Sequence, residues 1–107
     1  MSISQRRRSS VTREVINANA PLILRQMDLG KVAQAVSEVE GMLTPDQVNR
    51  LYQRFTPEEE RKAQLLEWVC QKGDQRRDQF LKCLCETGHE ELASQLQEQF
   101  DSQLQQQ

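Results

Sequence analysis

The stretch that decides the fold is TPEEERKAQLLEWVCQKGDQRRDQFLKCLCETGHEELASQLQEQF, residues 56–100. Its apolar residues recur every three or four positions, the period of one face of a helix. Leu65, Leu66 and Val69 form a first set, joined by Ala63 and Cys70. Phe80, Leu81 and Leu84 form a second set, and Leu92, Leu96 and Phe100 a third. Gly73 and Gly88 divide the sets, each where a helix can stop in a left-handed turn. Three consecutive amphipathic helices are therefore expected. Phe80, Leu81, Leu84, Leu92 and Leu96 should lie at the centre of a small core.

Upstream, the same reading gives three more helices. Thr56-Pro57-Glu58-Glu59 and Thr44-Pro45-Asp46-Gln47 are both start signals, with Thr as cap and Pro at the first helical position. The helix that opens at Thr44 should bury Val48, Leu51, Tyr52 and Phe55. Before it, Asp28 can cap a helix whose inward residues are Leu29, Val32, Ala33, Val36 and Val39, and Gly41 stops it. The earliest pattern runs through Val11, Val15, Ile16, Ala20, Ile23, Leu24 and Met27, with Pro21 inside it. A proline there removes a donor and crowds the preceding turn, so the first helix should be bent or broken. Strand alternation is absent. Short connections favour antiparallel neighbours, and the expected architecture is all-α, six helices in one bundle. Residues 1–10 are expected to be a flexible basic arm, 11–100 the helical domain, and 101–107 a disordered Gln-rich tail or the start of a linker.

Composition narrows the function classes. The 107 residues suit one domain, and 36% hydrophobic residues allow only a compact core. The formal net charge of -2 gives no overall attraction to nucleic acid. No apolar run approaches the roughly 20 residues of a membrane span, and no signal-peptide segment follows the basic start. Three cysteines cannot all pair within one chain, so reduced thiols and a cytoplasmic location are expected.

With these helices placed, LLEWVCQKG (65–73) and FLKCLCETGHEELASQL (80–96) resemble the end of a caspase recruitment domain. The Lys72-Gly73 pair, Phe80 and Leu84, Thr87-Gly88 and Leu92-Ala93 carry the likeness. The segment QMDLGKVAQAVSEVEGMLTPDQVNRL (26–51) is similar to that family's second and third helices. The resemblance implies a six-helix antiparallel Greek-key bundle of the death-fold superfamily, with a bent first helix. It implies homotypic binding to other caspase recruitment domains in a caspase, kinase, adaptor or receptor, with self-association into helical filaments, in apoptotic or inflammatory signalling. It also implies a basic face on helices one and four meeting an acidic face on helices two and three. Where some members place basic side chains, this chain has Glu58, Glu59 and Glu60. The basic face is therefore assigned to Arg13, Arg25, Arg61 and Lys62. The acidic face is assigned to Glu38, Glu40 and Asp46, diluted by Lys31, Arg50 and Arg54.

Chemistry-bearing residues were weighed against this reading. Cys70, Cys83, Cys85 and His89 could in principle ligate zinc. Cys83 and Cys85, however, are two apart on one helix and point about 200° apart. Cys85 and His89 are i, i+4 neighbours, but a catalytic thiol also needs a cleft and an orienting group. No catalytic, metal or cofactor residues are expected, and the domain is read as non-enzymatic. The arm Arg6-Arg7-Arg8 lacks interleaved aromatics for base stacking. It supports an alternative reading as a small nucleic-acid-binding domain, and Ser10 beside it resembles a basophilic kinase site. Trp68 is expected at the edge of the core.

Overall fold

Each helix forms where the sequence places it, but several ends and faces shift to positions where backbone groups find partners. The computed structural model describes residues 11–105. Among these residues the fold is all-helical, with seven α-helices and one short 3-10 turn. The basic arm, residues 1–10, and its Ser10 lie outside the described residues, as do 106–107.

The break in the first helix falls at Asn19, two residues before the proline. α1 (Val11–Ala18) ends there, and α2 (Ala20–Gln26) begins with Pro21 in its first turn. A first-turn proline loses nothing, because amides at that position have no intrahelical partner. Asn19 bridges the break, its amide donating to the Val15 carbonyl at 2.7 Å. α3 (Leu29–Ser37) is capped as expected, with the Asp28 carboxylate accepting from the Lys31 N–H. α4 (Pro45–Leu51) opens on a complete capping box. Thr44 Oγ1 accepts from the Gln47 N–H, and Gln47 Oε1 accepts from the Thr44 N–H.

Two expectations fail at the end of α4. The helix stops at Leu51, so Tyr52 and Phe55 leave the helical period and do not join the core. Tyr52 is 50% exposed and Phe55 98% exposed, and only Leu51 of the expected face is buried. The helix cannot run on into residue 56, because the residue before Pro57 is driven towards extended backbone. Thr56 then makes no capping hydrogen bond, and Pro57 occupies the cap of α5 (Glu58–Lys72).

α5 carries a third correction. Its inward arc is Lys62, Leu65, Leu66, Val69 and Cys70, with i, i+3, i+4, i+7, i+8 spacing. Ala63 falls outside that arc and is exposed, while Lys62 is buried. The lysine is admitted because α2 ends against α5 with a carbonyl lacking an intrahelical partner. Lys62 Nζ donates to the Leu24 carbonyl at 2.8 Å and lies 3.7 Å from Glu58 Oε2.

Beyond α5 a 3-10 turn (Gly73–Arg76) precedes α6 (Arg77–Glu86). Gly88, at φ 87°, ends α6. The His89 N–H reaches back to the Leu84 carbonyl at 2.8 Å and the Gly88 N–H to that of Cys85, a Schellman stop that needs the left-handed residue. α7 (Glu90–Gln105) runs on through the polar residues from Asp101, where the composition alone suggests fraying.

The core is the one expected. Phe80, Leu81, Leu84, Leu92, Leu96 and Phe100 are buried together with Val15, Ile16, Ile23, Val32, Val36, Leu51, Leu65 and Val69. Trp68 packs on its edge, partly buried. α6 packs on α7, and α1 lies against α7, α5 and the 3-10 turn. α3 contacts α4, α5 and α6. We predict that Lys62→Ala destabilises the fold by about 1–3 kcal/mol, since it strands a buried carbonyl. Lys82→Ala, at an exposed site, should stay within about 0.5 kcal/mol. Urea midpoints of the two variants decide between a structural and a surface role for Lys62.

Candidate protein-interaction surface

The residues assigned to the basic face divide by what holds them. Arg61 and Lys62 face inward functions on α5. The Arg61 guanidinium ties both ends of the α4–α5 connection, Nη1 donating to the Leu51 carbonyl and Nε to the Thr56 carbonyl, each at 2.9 Å. Arg13, on α1, makes a bidentate pair with Glu67 of α5 at 3.1 Å. The hydrogen bond from Arg13 holds the Glu67 carboxyl below its ordinary value despite partial burial. Arg25 is exposed at the end of α2 and follows directly on the carbonyl that Lys62 grips. The four residues thus lie along α1, α2 and α5, but Arg25 alone is not held by a contact among the described residues.

The acidic face is differently placed. Glu38 at the end of α3, Glu40 in the following turn and Asp46 in the first turn of α4 are all exposed. None forms an ion pair with a described residue. A carboxylate the sequence did not single out joins them, because α6 packs on α3. Glu38 and Glu86 line a surface cleft of about 520 Å³ between α3 and the end of α6, with Ala35 and Gly88 among its walls. Only the packing of two helices far apart in sequence reveals that pairing.

The thiols and the histidine are in settings that do not join them. Burial pushes the Cys70 thiol up, and burial together with the Glu86 carboxylate pushes up Cys83, so both resist forming the thiolate. Cys83 is buried and Cys85 exposed on the same helix. The His89 ring is occupied elsewhere, with Nε2 accepting from the Asp28 N–H at 3.0 Å and Nδ1 lying 2.8 Å from Thr87 Oγ1. An amide N–H can only donate, so the ring proton sits on Nδ1 and is donated to the threonine hydroxyl. That hydroxyl in turn donates to the Cys83 or Leu84 carbonyl at the end of α6. His89 therefore stitches the α2–α3 junction to the end of α6 and does not face Cys85 as a base.

A polar contact of this kind also fixes α1. Asp74 Oδ1 accepts from the Thr12 N–H at 3.0 Å and from its hydroxyl at 2.6 Å, with Thr12 fully buried. Partial burial opposes charge on Asp74, but the Thr12 hydrogen bonds outweigh it and Arg77 adds to them, so the carboxyl lies below its usual range. The carboxylate also complements the positive end of α1. Arg77 lies 3.6 Å from Asp74 and places its guanidinium over the Phe100 ring, 5.2 Å from the centroid.

No protein-family model matches the chain, and neither a curated protein nor a solved structure is significantly similar to it. Among the described residues no helix is long and apolar enough to cross a membrane.

Asp74 and Glu67 set the expected response to acid. Both have folded-state values below the unfolded ones, so their stabilisation is present above the ordinary carboxylate range and is lost as pH falls through the folded values. Denaturation midpoints between pH 7 and pH 3 should therefore fall. Thr12→Val removes one of the two hydrogen bonds to Asp74 and should shrink that fall; an unchanged pH profile would contradict the role given to Thr12.

Proposed function

We propose that this chain is a non-catalytic interaction domain of the caspase-recruitment type. In this reading α1 and α2 are the two halves of one broken helix, and the domain is a six-helix antiparallel Greek-key death-fold bundle. It binds other caspase recruitment domains and copies of itself in cytoplasmic apoptotic or inflammatory signalling, and no chemistry is assigned to it. The pairing of the first helical unit with the last, the break at Asn19 and the glycine stop at Gly88 all support this reading.

The observation that carries it is the unequal fate of the charges. Most of the basic residues on α1 and α5 are held within the fold, whereas Glu38, Glu40 and Asp46 stand exposed and unpaired among the described residues. Exposed charges of one sign, unpaired around a turn between two helices, supply specificity and fast encounter for a partner of the opposite sign. In a head-to-tail pair, Arg25 of one domain would meet this turn in the next, and a contact that does not close on itself grows a filament.

Charge reversal tests the pairing. Arg25→Glu and Glu40→Arg should each weaken assembly tenfold or more, read by sedimentation and negative-stain imaging, while the helical CD spectrum stays native. Assembly that proceeds normally in both variants would sink the charge-pairing mechanism.

A further inference from the structure

We propose that Phe55 and Tyr52, displayed on the α4–α5 loop, form a knob that a second copy of this chain receives in its cleft between α3 and α6. The inference rests on the homotypic binding proposed above, and its cleft shares only Glu38 with the acidic turn of the charge pairing.

Phe55 is 98% exposed, in a domain that buries Phe80 and Phe100 almost completely. A single exposed apolar residue is ordinary, but this one is held out by construction. Arg61 grips the carbonyls on either side of the loop, at Leu51 and Thr56. Residues 52–55 are therefore presented between two fixed points, and little ordering remains to be lost on docking. Half-exposed Tyr52 stands three residues earlier in the same loop, and exposed Arg50 and Arg54 accompany the two aromatics with positive charge.

The cleft has the complementary character. Its volume of about 520 Å³ accommodates an aromatic ring. Ala35 and Gly88 are among its small lining residues, and the carboxylates of Glu38 and Glu86 outnumber the one lining cation, Lys31, so the lining as a whole favours an incoming Arg50 or Arg54. The chain cannot fill its own cleft with its own knob. Gly30 and Ala33 of α3 border the hollow beside Tyr52, whereas Ala35 and Glu38 border the α6 cleft. These sets lie roughly 140° apart around α3 at about 100° per residue. Knob and cleft thus meet only between copies, head to tail.

The test uses the whole chain and two variants at exposed positions. Phe55→Ser removes the knob and keeps the cleft; Glu86→Lys reverses a charge on the cleft rim, keeps the knob and leaves the acidic turn of the charge pairing intact. Sedimentation across a concentration series should show each variant self-associating about 30-fold more weakly than the parent, the loss expected of a hot-spot truncation. Mixed one to one, the two variants should associate more tightly than either does alone, since one intact knob meets one intact cleft. Parent-like association of Phe55→Ser overturns the proposal, and so does parent-like association of the cleft variant, the result a symmetric Phe55 contact would give; a mixture that stays monomeric overturns it as well. If Phe55→Ser assembles normally while Arg25→Glu does not, the knob fails and the charge pairing stands. A parent chain that is monomeric at millimolar concentration, yet binds another caspase recruitment domain, also overturns the knob alone.

Discussion

Short helices have many ends, and each end leaves backbone donors or acceptors without intrahelical partners. That constraint governs this bundle more than any single apolar contact. Lys62 supplies the Leu24 carbonyl at the end of α2, Arg61 supplies those of Leu51 and Thr56, and Asp74 receives the amide at the start of α1. His89 accepts the Asp28 N–H as the chain turns from α2 into α3. Side chains that could have decorated the surface instead close the ends of helices remote in sequence. The hydrophobic core fixes which helix faces meet, and these polar links fix where each helix stops against its neighbour.

The same economy shapes what is left for partners. Arg61 and Lys62 sit side by side on α5 and look like surface charge in the sequence, yet both point to backbone carbonyls. Their removal from the surface leaves Arg25 as the cation best presented on that side, opposite in sign to the exposed turn of Glu38, Glu40 and Asp46. It also produces the tied loop that carries Phe55. Arg61, which closes the end of α4 at Leu51, thereby also anchors both ends of the loop that holds the exposed Phe55.

The helices and most of the core were legible because periodicity, capping residues and glycine stops are local signals. Thr44 with Gln47, Asp28 and Gly88 behave as their local sequence requires, whereas α3 ends at Ser37, so Gly41 takes its left-handed conformation in the following turn and is not the helix stop it was expected to be. The misreadings arose where the apolar spacing met a competing signal, a nearby proline in one case and a distant partner in the others. Tyr52 and Phe55 continue the spacing of α4, but the helix ends before them. Ala63 is the natural inward residue by composition, but a carbonyl from α2 requires a donor and Lys62 takes the position. Thr12 reads as a neutral neighbour of Val11 and is fully buried, because Asp74, distant in sequence, supplies an acceptor for it.

The sequence by itself determined that this protein is all-helical, where its turns lie, and which apolar residues build its centre. These follow from forces that act within a few residues, namely backbone sterics at Gly and Pro and the burial of one helix face. Only the tertiary structure decided the surface. Which charges are committed inside, that Glu86 joins Glu38 around one cleft, and that Phe55 faces water all depend on helices brought together from distant parts of the chain. A hydrogen-bonding group is satisfied by whatever the fold places beside it, and no local pattern encodes that neighbour.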